Sequence, residues 1–274
     1  MSVDTFYFGP ESPRLFGVLH HNGRPAPTSL VFCPPFCQEM VTTYSRLARF
    51  SKQLAENQIG VMRFHPSGTG ESDGRTCEFT LDSVLNETGL ARQVVEERLK
   101  ANRLGYFGLR FGATVAVLAA AAQPVDFLVL WCPVINLQRY FRDLLRLQLT
   151  KEAVHQRRSR IQRTTQQMVE ELQAGNNVDI FGYELSPELY RQMVAVSSWP
   201  QTPPARQILW LARPDEQRSA AETVERWRSF GSKVDFETIA EPIFWEDDSS
   251  WLPEKFAART VQWLIESGDD HGKQ

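Results

Sequence analysis

Five residue types in this chain have the chemistry and the placement to do work. Cys37 closes the run Cys33-Pro34-Pro35-Phe36-Cys37, two residues before Glu39. A thiol there becomes a nucleophile only if a nearby base or cation lowers its pKa, and Glu39 or His65 could be that base. The bland alternative for Cys37 is a buried, inert sulfur, and Cys33 reads as core. His65 opens His65-Pro66-Ser67-Gly68-Thr69-Gly70 at the C-terminal end of a strand, the edge where α/β sites form; its bland reading is a loop-packing ring. Arg110 stands in the middle of Gly108-Leu109-Arg110-Phe111-Gly112. A guanidinium stays protonated and cannot attack a carbonyl, but its fork can hold a carboxylate or phosphate through two parallel hydrogen bonds. It could equally pair with a protein acid: Glu39, Asp215, or the Glu246-Asp247-Asp248 run. A zinc site from Cys33 and Cys37 would need two more ligands that no paired His or Cys motif supplies, and Gly68-Thr69-Gly70 lacks a Walker lysine. Neither a metal nor an organic cofactor is expected.

The elements that must position these groups follow from pattern. Short β-branched or aromatic runs alternate with longer helical periodicities, which predicts a mainly parallel sheet covered on both faces. An N-terminal hairpin is expected over Thr5–Phe8 and Leu15–His20. Then come strand Ser29–Cys33, helix Thr43–Asn57, strand Ile59–Phe64, helix Leu81–Lys100 and strand Arg103–Phe107. A helix through Ala122 and strand Phe127–Trp131 complete the first part, residues 1–135. Residues 136–200 hold little β pattern but carry helical periodicity in Leu137, Tyr140, Phe141, Leu144 and Leu145, and are read as a helical lid insertion. Gly175-Asn176-Asn177 and Ser186-Pro187 mark helix boundaries within it. The core resumes over 201–274 with strand Gln207–Leu211, helix Ala220–Phe230, strand Lys233–Ile239 and helix Glu254–Ser267.

A hairpin, then β-α units, a strand–Gly-x-x-x-Gly–helix turn and a helical insertion after the next strand resemble the α/β-hydrolase fold, a mostly parallel twisted sheet with a helical lid. Pro34-Pro35-Phe36 with Glu39-Met40, Gly108-Leu109-Arg110 with Gly112-Ala113, Phe141–Leu149, Gly182–Leu189 and Pro242-Ile243-Phe244-Trp245 narrow the likeness. Together they resemble the exosortase-associated α/β hydrolases of the second type, over roughly residues 29–265. The resemblance implies that Arg110 occupies the nucleophile elbow and that the Phe36/Cys37 and Phe111 N–H groups form an oxyanion hole. It implies that Asp215, just after its strand, is the triad acid. Trp245 joins Arg110, Phe36 and Phe111 as the expected substrate-binding set; Cys37, His65, Glu39 and Asp215 are the expected catalytic set. The triad histidine should fall in 240–251, which reads AEPIFWEDDSSW and holds none; the only later one is His271. A standard Ser-His-Asp hydrolase is thereby excluded.

Composition sets the outer bounds. At 274 residues, 42% hydrophobic and 23% charged, the chain suits one large domain or a core with an inserted lid. A formal charge of −3 gives no global push toward nucleic acid. The first ten residues lack a signal-peptide pattern, and the longest apolar stretch is half a membrane span, so a cytoplasmic protein is expected. Four cysteines are too few for a disulfide scaffold. Between Arg139 and Arg163 there are eight Arg or Lys against two acids, either a solvated face or a dock for an acidic partner such as an acyl carrier protein. Two functions stay open. One is an enzyme with a non-standard site acting on an acyl, ester or thioester group of a small acyl or carboxylate substrate, in exopolysaccharide or secondary metabolism. The other is a non-catalytic hydrolase-fold protein that binds an anionic ligand or acidic carrier through Arg110 and the lid. The balance of residue types tips slightly toward the enzyme.

Overall fold

The computed structural model describes residues 1–155, 163–246 and 251–269. Arg157, Arg158 and Arg160 of the basic 139–163 stretch, together with Asp247, Asp248 and His271, lie outside the described residues. In chain order the strands and helices are β1 (Ser2–Phe8), β2 (Leu15–His21), β3 (Thr28–Cys33), α1 (Gln38–Glu56), β4 (Ile59–Phe64), α2 (Leu81–Leu99) and β5 (Arg103–Leu109). They continue with α3 (Phe111–Ala122), β6 (Val125–Trp131), α4 (Leu137–His155), α5 (Thr165–Gln173), β7 (Val178–Ile180) and β8 (Tyr183–Leu185). The last are α6 (Pro187–Ala195), β9 (Ala205–Ala212), α7 (Gln217–Ser229), β10 (Lys233–Thr238) and α8 (Glu254–Asp269).

The eight-stranded sheet runs β1-β2-β4-β3-β5-β6-β9-β10. All pairs are parallel except β1 with β2 and β2 with β4. This is the α/β-hydrolase fold. The period of two divides each strand between two cores. Leu30 and Phe32 of β3, Val61 of β4 and Phe107 and Leu109 of β5 face α1 and α8. Val31, Cys33, Met62 and Tyr106 face α2 and α3, a layer that continues into the lid through Leu137, Tyr140, Phe141, Met168 and Met193. After β3 the chain moves outward to β4, then returns to place β5 on the opposite side of β3. That reversal opens a crevice at the carboxyl ends of β3 and β5.

Two expectations need correction. Helix α1 begins at Gln38, five residues before the expected Thr43. The β-branched threonines look like poor early-helix residues, but Thr42 and Thr43 return their hydroxyls to the carbonyls of Gln38 and Glu39. Glu39 therefore sits in the first turn of a helix, not in a loop. The lid also contains a hairpin, β7 with β8, although the sequence shows little β pattern there. Its two-residue turn is Phe181-Gly182, both at positive φ (55° and 82°), the conformation that matches strand twist in short hairpins. The helix boundaries expected at Gly175 and Ser186 coincide with the chain: Gly175 has φ 91°, and the Ser186 hydroxyl accepts from Leu189 N–H at 3.2 Å.

Candidate functional site

Arg110 stands alone between the end of β5 and the start of α3, at φ 56° and ψ −120°. A non-glycine residue held there costs about 1–3 kcal/mol and persists only where the surroundings dictate it. They do so here. The Arg110 N–H donates to Trp131 C=O at 3.0 Å, and its carbonyl accepts from Ala113 and Val134 N–H at 3.0 and 3.3 Å. The flanking glycines make the turn possible: a Cβ on Gly108 would lie 2.2 Å from Gly112 O, and one on Gly112 would lie 2.4 Å from Cys33 O.

The turn points the guanidinium into a closed set of partners. Nε donates to Glu39 Oε1 at 3.3 Å, and Nη1 donates to Glu216 Oε1 at 3.0 Å and to Cys132 C=O at 3.3 Å. The Trp245 ring centroid lies 4.5 Å from Cζ, a cation–π contact that fills one face of the group. Glu39 is shared: its Oε2 accepts from the Tyr140 hydroxyl of α4 at 2.8 Å. Glu216 is shared as well, its Oε2 accepting from Arg213 N–H at 3.2 Å. A cation at a helix N-terminus loses about 0.3–1 kcal/mol to the helix dipole; two carboxylates at bonding distance outweigh that.

The electrostatics follow from burial and pairing. Burial pushes Glu39 above the ordinary carboxylate range, against the pull of Arg110 and the Tyr140 hydrogen bond; exposed Glu246 pushes it further up. Burial works to lower Arg110, but Glu39, Tyr140 and Glu216 together hold it above its usual value, so it stays a cation. Tyr140 is pushed well up by burial and by Glu39, and stays a phenol. The cluster therefore holds a fixed cation beside a carboxyl whose pKa is raised by burial.

The other expected site residues fall elsewhere. Cys37 is buried at the N-terminus of α1, also at positive φ (54°), and its thiol points to Ile180 C=O of β7 at 3.6 Å. Burial pushes it up to about 12, so it is a thiol and not a thiolate, and no base contacts it. His65 accepts from Glu71 N–H through Nδ1 at 2.9 Å and packs between Phe16 and Tyr44, each 5.5 Å away. Burial, with Arg63 adding, lowers its pKa. Asp215 is largely exposed and pairs with Arg213 at 3.1 Å, turned away from Arg110. Phe36 and Phe111 are buried rings 5.2 Å apart. Of the eight expected residues, Glu39, Arg110 and Trp245 meet directly; Phe111 stacks on Tyr140 at 6.3 Å.

Two contributors escape a reading of the sequence. Glu216 takes the place expected of Asp215 as partner of Arg110. The signal is its spacing: Glu216 turns back to accept from the Arg213 N–H three residues earlier, across the short 3-10 turn Pro214–Glu216 that decides which acid faces inward. Tyr140 was read as one more apolar position of a lid helix, and its hydroxyl was the clue. Among the described residues no group of three or more His, Cys, Asp or Glu is placed to hold a metal ion, and no helix is long and apolar enough to cross a membrane.

The thiol geometry carries an expected outcome. Under native conditions at pH 8, iodoacetamide should label partly exposed Cys77 before Cys37, Cys33 or Cys132, all of which are buried. Peptide mapping reads this directly; early labelling of Cys37 would contradict the buried thiol.

Comparison with known proteins agrees with the fold. Est1E from Butyrivibrio proteoclasticus, solved with ferulic acid bound, superposes with a TM-score of 0.64 at 13% identity, covering 95% of this chain and 98% of that one. A soluble variant of monoglyceride lipase from Saccharomyces cerevisiae, in complex with a substrate analog, gives 0.63 at 12% identity, covering 97% and 95%. DcsB, in complex with its substrate analogue, gives 0.62 at 16% identity, covering 97% and 99%. No curated protein matches the sequence. Residues 36–208, well over half of the chain, match the family described as serine aminopeptidase, S33. The chain therefore belongs to the serine aminopeptidase S33 family.

Proposed function

We propose that this protein is a non-catalytic member of its family, with Arg110 standing where the fold places its nucleophile. The observation that carries the reading is how the guanidinium is held: Nε and Nη1 are taken by Glu39, Glu216 and Cys132 C=O, and Trp245 covers a face. An enzyme built on this site would need a nucleophile or a base beside Arg110. The ionisable groups beside Arg110 are already committed: Glu216 to Arg110 and the Arg213 N–H, Glu39 to Arg110 and the Tyr140 hydroxyl, while Cys37 and His65 are engaged elsewhere. This favours the binding protein over the acyl, ester or thioester enzyme that the residue types alone slightly preferred.

A hydrolase fold without turnover retains its lid as a recognition surface. The buried face of α4 presents Tyr140 to the site, and its opposite face exposes Arg139, Arg142 and Arg146 against one acid, Asp143. Arg139 and Arg146 share Asp143, so the face keeps a net positive charge. We read it as a dock for an acidic, acyl-bearing carrier protein of the bacterial cytoplasm, in the biosynthetic setting the resemblance implies. No cofactor enters this role.

The test has two arms. Intact-mass spectrometry after exposure to acyl thioesters, simple esters and a fluorophosphonate should show no adduct, and the thioesters should survive. An adduct or turnover would overturn the non-catalytic reading, and loss of that adduct in Cys37→Ala would put the chemistry on the thiol. Titration with an acyl carrier protein should show binding at low salt that fades by about 0.5 M, where exposed charges are screened. Arg142→Glu with Arg146→Glu should weaken it at least tenfold; no binding at low salt would remove this partner.

A further inference from the structure

Away from Arg110, Arg63 is a cation with no carboxylate bonded to it among the described residues. It lies near the end of β4, opposite Val18 of β2. Its Nε and Nη2 reach Nε2 of His20, at 3.4 and 3.3 Å, and its Cζ lies 5.1 Å from the Tyr44 ring centroid. Among the described residues the Tyr44 hydroxyl is its one other hydrogen-bond partner. Burial pushes the guanidinium below its usual value, and only the Tyr44 phenol works against that. His20 beneath it is 5% exposed. Because its Nε2 accepts from Arg63, the ring proton sits on Nδ1, which is buried without a partner.

This unneutralised group lines a cleft whose other walls are apolar. Val18, Pro34, Pro35, Met40 and Leu47 form the sides, with Tyr44 and His65 alongside. The cleft is small, about 30 Å³, room for a carboxylate group with any tail lying along its apolar mouth. A cation withdrawn from water without a counter-charge is costly, and an anion from solution would relieve that cost. The small size and apolar walls suit a singly charged group with a hydrocarbon tail better than a strongly hydrated polyanion. His65 offers a second donor, since Nδ1 accepts from Glu71 N–H and the proton is therefore on Nε2.

We propose that this cleft binds a small monocarboxylate with an apolar tail, its carboxylate on Arg63 and its tail along Pro34, Pro35 and Met40. The site is separate from the Arg110 network and holds whether or not the protein catalyses anything.

Isothermal titration with hexanoate tests it, with hexanol and inorganic phosphate as matched probes. Hexanoate should bind saturably at millimolar concentration or below, and each control at least tenfold more weakly, because one lacks the charge and the other the tail. Arg63→Met should weaken hexanoate at least tenfold, the size expected when a charge-assisted hydrogen bond is removed. If Arg63→Met fails to fold, Met40→Trp fills the cleft while leaving the cation in place; it should abolish binding. No hexanoate binding, binding matched by hexanol or phosphate, or binding kept in Arg63→Met or in Met40→Trp would each overturn the proposal.

Discussion

Replacing Arg110 by alanine should lower the stability of this protein by about 3–5 kcal/mol, the usual consequence of stranding one partner of a buried ion pair. For a domain of this size that is a fall in melting temperature of roughly 10 °C. The group stranded is Glu39, which is 7% exposed and would keep only the Tyr140 hydroxyl. The loss should therefore be partly repaired by a second change. Arg110→Ala combined with Glu39→Gln removes the uncompensated charge and should melt above Arg110→Ala alone. An Arg110→Ala protein that melts with the parent would mean that the network contributes nothing.

The pH dependence gives an independent check. Glu39 is a carboxyl whose folded pKa is raised above its ordinary value of 4.5, the reverse of the usual salt-bridged acid. A raised acid supports the fold fully below the unfolded pKa, where it is protonated in both states, and that contribution is lost as pH rises through the folded value. Removing Arg110 raises it further. The gap in melting temperature between parent and Arg110→Ala should be smallest near pH 4.5 and widen toward neutrality. A gap independent of pH would place the effect in lost packing against Trp245 instead.

Gly112→Ala should prevent folding outright, with Gly108→Ala close behind. The added Cβ on Gly112 meets Cys33 O at 2.4 Å and Pro34 O at 2.9 Å; on Gly108 it meets Gly112 O at 2.2 Å and Ala113 N at 2.3 Å. Every one of these is backbone, which no rotamer change can move, so the cost should exceed about 4 kcal/mol. Gly89→Ala is the control. On α2, its Cβ would find only Gln123 Oε1 at 3.7 Å, and the helix should gain about 0.5–1 kcal/mol. Circular dichroism melts would separate the three. Folded, parent-like Gly112→Ala protein would show that the turn has slack. The same steric demand explains why a glycine-framed turn remains in a chain with arginine at its centre: the glycines serve the crossing of α3 over the end of β3 as well as any nucleophile.

Much of the architecture was legible from pattern because its causes are local. Apolar runs such as Phe127–Trp131 and helical stripes such as Leu137–Leu145 repeat within a few residues, and the sheet order follows once they alternate. The start of α1 was missed because Thr42 and Thr43 satisfy themselves on carbonyls within the same turn, which composition does not reveal. The lid hairpin was missed because three-residue strands carry too few positions to show a period.

The candidate site divides along the same line. The sequence by itself determined which chemistries were possible: arginine between two glycines, no histidine in the loop at 240–251, and an acid beside the first helix. Only the tertiary structure decided who meets whom. Glu216 faces Arg110 and Asp215 faces solvent because a single 3-10 turn separates their directions by one residue. The Cys37 thiol is spent on Ile180, 143 residues away in a lid hairpin, and Tyr140 reaches Glu39 from a helix 101 positions downstream. Propensity acts between neighbours along the chain, whereas a buried charge takes whatever partner packing brings within about 3 Å.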